Sequence, residues 1–145
     1  MNTEHFEKLR RMYLQANVNT KIFDTTECEI NLGQASISLT IADKYFHALG
    51  AIHGSVYFKL LDDAAFFAVN SMVKDVFVLT TSFNIHLIRP VNKGKIVATG
   101  TVKTKSSQLF IAEATLVNEA GKEAAFGTGN FMKSKIKLTE EIGYI

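Results

Sequence analysis

The segment from Gly54 to Ser71 constrains the fold more than any other part of the chain. It holds no Pro, and no Gly after its first residue, and it is too long for a buried strand, so the pattern predicts a helix. At 100° per residue, Ser55, Lys59, Asp62, Asp63, Phe66 and Asn70 fall within an arc of about 100°. Val56, Tyr57, Phe58, Leu60, Leu61, Ala64, Ala65, Phe67, Ala68 and Val69 occupy the rest of the circumference. A helix apolar around most of its surface must be wrapped by other structure. Lys59, Asp62 and Asp63 interrupt the apolar run, which is also shorter than the roughly 20 residues that span a bilayer.

The rest of the chain supplies the wrapping. Ile30 and Leu32, then Ala35, Ile37, Leu39 and Ile41, alternate with polar residues across Gly33, as expected for two strands joined by a turn or bulge. Val76–Ile88, Lys95–Lys105, Leu109–Val117 and Glu123–Met132 are β-rich, and the gaps between them are of hairpin size. The expected architecture is α+β, with a strongly curved antiparallel sheet around one long central helix. Phe6, Leu9, Met12, Tyr13 and Ala16 lie at helical spacing, so an amphipathic helix over about residues 3–16 packs against this core of about residues 20–133. The tail from Ser134 to Ile145 is charged and weakly patterned. A chain of 145 residues with 47% hydrophobic content is expected to form a single domain over 1–145 with a core that needs no disulfide. Its one cysteine, Cys28, forms no internal bridge.

The net charge of +2 comes from scattered basic residues, which argues against a nucleic-acid partner. Charges within the first ten residues break the apolar run that a signal peptide needs, and no span suits a membrane, so a cytoplasmic location is expected. No spacing among the His, Cys and acidic residues suits a metal site, and none is expected.

Chemistry is expected where His53-Gly54-Ser55 enters the long helix. A Gly there lets another group approach the free N–H groups of the first turn, which with the helix dipole favour a developing negative charge. Those are the requirements of an oxyanion hole. Two turns on, Asp62 and Asp63 sit 100° apart on an apolar helix, where an unpaired carboxylate is costly. Lys59 lies three residues before one and four before the other. One acid can therefore pair with Lys59 while the other faces a cleft.

The stretch His47-Ala48-Leu49-Gly50-Ala51-Ile52-His53-Gly54-Ser55, followed by Leu61-Asp62-Asp63-Ala64-Ala65 and Asn70, resembles the signature of hotdog-fold acyl-CoA thioesterases of the phenylacetate-pathway (PaaI-like) type. That signature is Asn-x-x-Gly-x-x-His-Gly-Gly with an acid nine positions after the His, which here is Asp62. The resemblance runs through Ile88-Arg89-Pro90, Gly94 and Asn118-Glu119-Ala120-Gly121, from about Gly33 to Lys133. It implies hydrolysis of an acyl thioester. The Gly54 N–H polarises the carbonyl, and Asp62, contributed across a subunit interface, activates water or attacks directly. Burial on the helix should raise the Asp62 pKa toward neutrality. A hydroxyl at Thr80 assists the water, and coenzyme A is part of the substrate rather than a cofactor. The implied assembly is a homodimer or a homotetramer built as a dimer of dimers.

Two positions depart from the signature. His47 replaces its Asn, and Ser55 its second Gly. An amide donates and accepts at fixed geometry, whereas an imidazole does so only in a suitable tautomer. Ser55 is equally suited to a cap or first-turn role beside a bound substrate. Phe58 and Phe66, with Phe67 and Phe83, are candidates to line an acyl pocket, and Arg89, Lys93, Lys95, Lys103 and Lys105 to meet coenzyme A phosphates. A dehydratase or hydratase using His47 with Asp62, or a non-catalytic acyl-ligand binder, are the other functions such a fold supports.

Overall fold

The computed structural model describes residues 2–145. In chain order the elements are α1 (Asn2–Gln15), α2 (Asn17–Lys21), β1 (Glu27–Asn31), β2 (Gln34–Thr40), α3 (Gly54–Asn70), β3 (Val76–Leu87), β4 (Lys95–Lys105), β5 (Leu109–Val117) and β6 (Glu123–Lys137). Short 3₁₀ turns lie at Asp43–Tyr45 and Glu140–Ile142. The six strands form one antiparallel sheet in the order β1-β2-β4-β5-β6-β3. α3 packs along its concave side, and together they make the hotdog fold.

α3 is wrapped as its composition demands. Leu60, Leu61, Ala64, Ala65, Ala68 and Val69 are fully buried against Ile37, Leu39, Ile96, Ala98, Ala112 and Leu116 of the sheet. The closest approach is at Gly100 of β4. A Cβ there would stand 2.4 Å from the carbonyl of Ala64 and 2.5 Å from the amide of Ala65, so backbone meets backbone with no room for a side chain. α1 buries His5, Leu9, Met12 and Tyr13 and packs against β1.

One sequence-based expectation changes, and two features that the sequence leaves open are fixed. The gap between β3 and β4 is no hairpin, because β3 pairs with β6 and β4 with β2. Residues 88–94 instead cross past the start of α3, where Tyr57 donates its hydroxyl to the Arg89 carbonyl, Ile52 its N–H to Val91 and Ile41 its N–H to Gly94. The C-terminal tail is ordered: β6 continues to Lys137, the Leu138 N–H donates to Asp75, and the last turn folds onto α1. His5, which lacks an evident partner in the sequence, is the anchor for that turn. Its Nε2 donates to the Asn70 carbonyl at 2.8 Å, a pure acceptor, so Nδ1 accepts from the Tyr144 hydroxyl at 2.7 Å.

Candidate active site

One i, i+4 stripe of α3 faces the edge strand β3, and the two run antiparallel. Gly54 lies under Leu87, whose Cδ1 would be 3.2 Å from a Cβ at that position. Phe58 meets Phe83 edge-on at 5.7 Å between ring centroids. Asp62 accepts a 2.8 Å hydrogen bond from Thr80 Oγ1. Phe66 packs on Phe77 at 5.2 Å, and Asn70 donates to the Val76 carbonyl at 3.2 Å. The first and third of these positions are those the sequence singles out, and both face the edge strand of the sheet.

Asp62 and Asp63 part company as their 100° separation allows. Asp63 Oδ2 accepts from Lys59 Nζ at 2.8 Å and from the Tyr13 hydroxyl at 2.6 Å, and Lys59 also donates to Asn19 Oδ1 at 2.8 Å. Through Oδ2, Asp63 ties Tyr13 of α1 and, by way of Lys59, Asn19 of α2 to α3. Asp62 has one partner, Thr80, on Oδ1. Burial pushes the Asp62 carboxyl up to about 6, and the Thr80 hydrogen bond only partly offsets this; Asp63 raises it further and Lys59 lowers it.

The start of α3 is equally specific. His53 is the N-cap, in extended backbone geometry, and its Nδ1 accepts the Ser55 N–H at 3.1 Å and lies 2.8 Å from Ser55 Oγ. An acceptor at Nδ1 puts the ring proton on Nε2 and makes the serine hydroxyl the donor. The His53 carbonyl accepts the Val56 N–H. Among the described residues nothing takes up the Gly54 N–H, which is left at the positive end of a well-formed helix.

The sequence of residues 49–125 matches the thioesterase superfamily, more than half of the chain. The chain belongs to that superfamily. A search of curated protein sequences finds no match. Solved thioesterase-fold structures agree with the architecture. The Escherichia coli PaaI protein from the phenylacetic acid degradation operon superposes with a TM-score of 0.82 over 95% of this chain and 99% of its own, at 21% identity. A thioesterase family protein from Silicibacter pomeroyi gives 0.80 over 89% and 97% at 20% identity. The phenylacetic acid degradation protein PaaI from Thermus thermophilus, as a point mutant, gives 0.68 over 75% and 93% at 22% identity.

In this thioesterase fold the other expected site residues are spread over several places. Thr80 does not share a face with Ser82, Asn84 and His86, as strict alternation would have it. The register of β3 shifts between Thr80 and Ser82, and this bulge keeps Thr80 on the helix side while turning Phe83 inward with it. His86 is thereby sent to the outer face, where it stacks on Phe126 at 4.9 Å. His47 lies in the exposed loop closed by the Phe46–Ile52 bridge, and its Nδ1 accepts the Leu49 N–H at 3.1 Å, leaving Nε2 free.

Phe58 and Phe66 flank Asp62 on opposite sides rather than forming one pocket. Phe58 is 41% exposed, whereas Phe66 packs among Phe67, Phe77 and Phe131. Asn70, on the polar arc by angle, is fully buried and caps the Val73–Val76 turn through its amide. The basic residues are dispersed: Lys95 pairs with Glu27 and Lys103 approaches Glu113, while Arg89 and Lys93 remain on the loop beside the start of α3. Sequence reasoning missed the structural roles of Tyr13 and Asn19. A cluster of two polar side chains from separate helices leaves no local spacing to read.

Proposed function

We propose that the protein hydrolyses an acyl-CoA thioester to the free acid and coenzyme A, with no cofactor beyond that substrate. The observation that carries this reading is the contrast between two adjacent carboxylates. Asp63 is spent on Lys59 and Tyr13, whereas Asp62 is half-buried, lifted to about 6 and held by one hydroxyl with its second oxygen free. A carboxylate so tuned is a competent base near neutral pH. Asp62 takes a proton from water as the water oxygen bonds to the thioester carbon. The oxyanion so formed is held by a Gly54 N–H, and the C–S bond then breaks to release the thiolate of coenzyme A, which is protonated. Thr80 orients the carboxylate, and Ser55, His53 and His47 border the carbonyl-binding end.

Gly54 and Asp62 of one chain cannot share a substrate. They are eight residues apart on one helix, about 12 Å along its axis, whereas both must lie about 3 Å from the reacting atoms. A second copy resolves this. β3 is a long edge strand with Leu79 and Leu87 exposed, the kind of edge that invites pairing with another chain. A twofold axis near Phe58 and Phe83, the midpoint of the stripe, sets Gly54 of the partner subunit opposite Asp62. The assembly is then a homodimer with two shared sites, or a homotetramer of two such dimers. Arg89 and Lys93, on the loop beside Gly54, would meet coenzyme A phosphates.

Thiol release from a panel of acyl-CoA esters, followed spectrophotometrically, tests the reaction. Release by the parent and its loss in Asp62→Asn support hydrolysis. Hydration of an enoyl-CoA without thiol release, or saturable binding without turnover, would overturn it.

A further inference from the structure

A concavity of about 330 Å³ opens between the loop of residues 88–94 and the turn that joins β5 to β6. Pro90, Val91, Asn92 and Lys93 wall it on one side, Asn118 and Glu119 on the other. The volume is at the lower end of the range for small-ligand sites. Both walls are fixed by backbone hydrogen bonds. The Ile88 and Arg89 N–H groups donate to the Ala124 carbonyl at 2.9 and 3.1 Å, and the Ile52 N–H donates to the Val91 carbonyl at 2.9 Å. Across the concavity, the Asn118 N–H donates to Lys122 and the Gly121 N–H to Asn118, each at 2.9 Å. The two walls touch at Gly94, at φ +88°, where a Cβ would stand 2.8 Å from the Glu119 carboxyl.

The chain itself joins this concavity to the start of α3. Leu87 covers Gly54, and the loop that follows it is held by Ile52 and Tyr57, two residues before Gly54 and three after it. The four residues from Leu87 to Val91 span at most about 14 Å when extended. An extended pantetheine arm covers that distance. A thioester whose carbonyl meets the Gly54 N–H therefore has the concavity within reach of its thiol side, on the same chain.

The groups around it divide as those of a nucleotide do. Pro90 and Val91 offer apolar surface for a flat ring. Asn118 Oδ1 is taken by the Lys122 N–H at 2.9 Å, which leaves the amide nitrogen to donate, and the Glu119 carboxylate accepts. Lys93 stands in the wall, with Arg89 just before Pro90. Arg89 Nε donates to the Glu123 carbonyl at 3.3 Å, leaving its terminal nitrogens to other partners. Among the described residues neither cation forms an ion pair, whereas Lys95 and Lys103 each face a glutamate. Two such cations beside an apolar and amide-lined hollow suit phosphates attached to a base.

We infer that this concavity seats the 3′-phosphoadenosine end of coenzyme A, with the adenine between Pro90 and the β5–β6 turn and the phosphates at Arg89 and Lys93. The inference rests on the hydrolytic reading above. It makes the protein selective for thioesters of coenzyme A over those carried on a bare pantetheine arm or on a carrier protein, which have no adenosine.

The test compares kcat/KM for the most rapidly hydrolysed acyl-CoA of the panel with that for the acyl-pantetheine of the same acid, and measures binding of adenosine 3′,5′-bisphosphate by calorimetry. Lys93→Ala removes a cation, and Ala120→Trp fills the concavity from an exposed position on the turn, where an indole displaces no core side chain. The parent should favour the coenzyme A ester at least about tenfold, through KM, the scale of one or two charge-assisted contacts. That preference should shrink at least about fivefold in each variant, and the bisphosphate should bind the parent more tightly than either variant. Equal kcat/KM for the two esters in the parent, or a preference that survives both substitutions, would overturn the inference while leaving hydrolysis intact. Bisphosphate binding that both substitutions weaken, in a protein that hydrolyses neither ester, would sustain the nucleotide seat and remove the hydrolytic reading.

Discussion

Asp62 and Asp63 differ by one position and by nearly everything that matters chemically. Asp62→Asn should lower kcat at least about 100-fold with the fold intact, the scale of a lost general base. Asp63→Asn should act mainly on stability, costing about 1–3 kcal/mol because Lys59 loses its charged partner; chemical denaturation of the two variants beside their kinetics separates these effects. The raised Asp62 carboxyl also fixes a pH dependence. Activity should rise with pH through about 6 and level off above. The folded state holds this proton more tightly than the unfolded chain, where an Asp titrates near about 3.9. Stability from this group is therefore greatest below about pH 4 and falls as pH rises to about 6, by about 3 kcal/mol in all. Asp62→Asn should remove that dependence and be the more stable protein at pH 7. A denaturation midpoint for the Asn variant that follows the parent at every pH would contradict the burial argument. His5 works in the opposite sense: burial lowers its affinity for a proton, so stability from the neutral ring is lost as pH falls below about 6.5.

At the scale of elements, α3 and its fit to the sheet decide both fold and site. Gly100→Ala would push a methyl into the Ala64 carbonyl, a backbone atom that cannot rotate away. It should cost about 3 kcal/mol or more, read from the denaturation midpoint. Gly54→Pro is the complementary test. Position 54 follows the cap, where Pro is well tolerated, and the extended geometry of His53 suits a residue before Pro. The helix should survive while its free N–H is gone, with kcat down about 100-fold or more. Much of this level was legible in the sequence because it is written in local periodicity. The near-continuous apolar surface of α3, the two early strands and the four later ones all follow from it. Features set by long-range pairing were not legible. The bulge after Thr80 shifts the phase of β3 midway, so strict alternation over residues 80–87 would place Thr80 on one face with Ser82, Asn84 and His86. The tail looked unpatterned because a histidine 139 residues away in sequence holds it.

At the scale of the whole molecule, a single chain carries both halves of the proposed chemistry at places that cannot meet. The spacing from His53 to Asp62 was readable, and the rise of an α-helix turns that spacing into the requirement for a partner. Sedimentation should therefore show at least a dimer at micromolar concentration, and dilution to monomer should abolish turnover. The exposed Leu79, Leu109 and Met132, cross-strand neighbours on the outer face, offer a further apolar surface for joining dimers. The shared site itself is tested most directly by mixing two inactive variants. Asp62→Asn supplies an intact Gly54 and Gly54→Pro an intact Asp62, so a mixed dimer holds one complete site and one doubly defective one. After denaturation and joint refolding at equal amounts, half of the dimers are mixed, and about a quarter of the parent turnover should return. Recovery to that level is the predicted result, and a mixture no more active than its two components would contradict a site built from two chains.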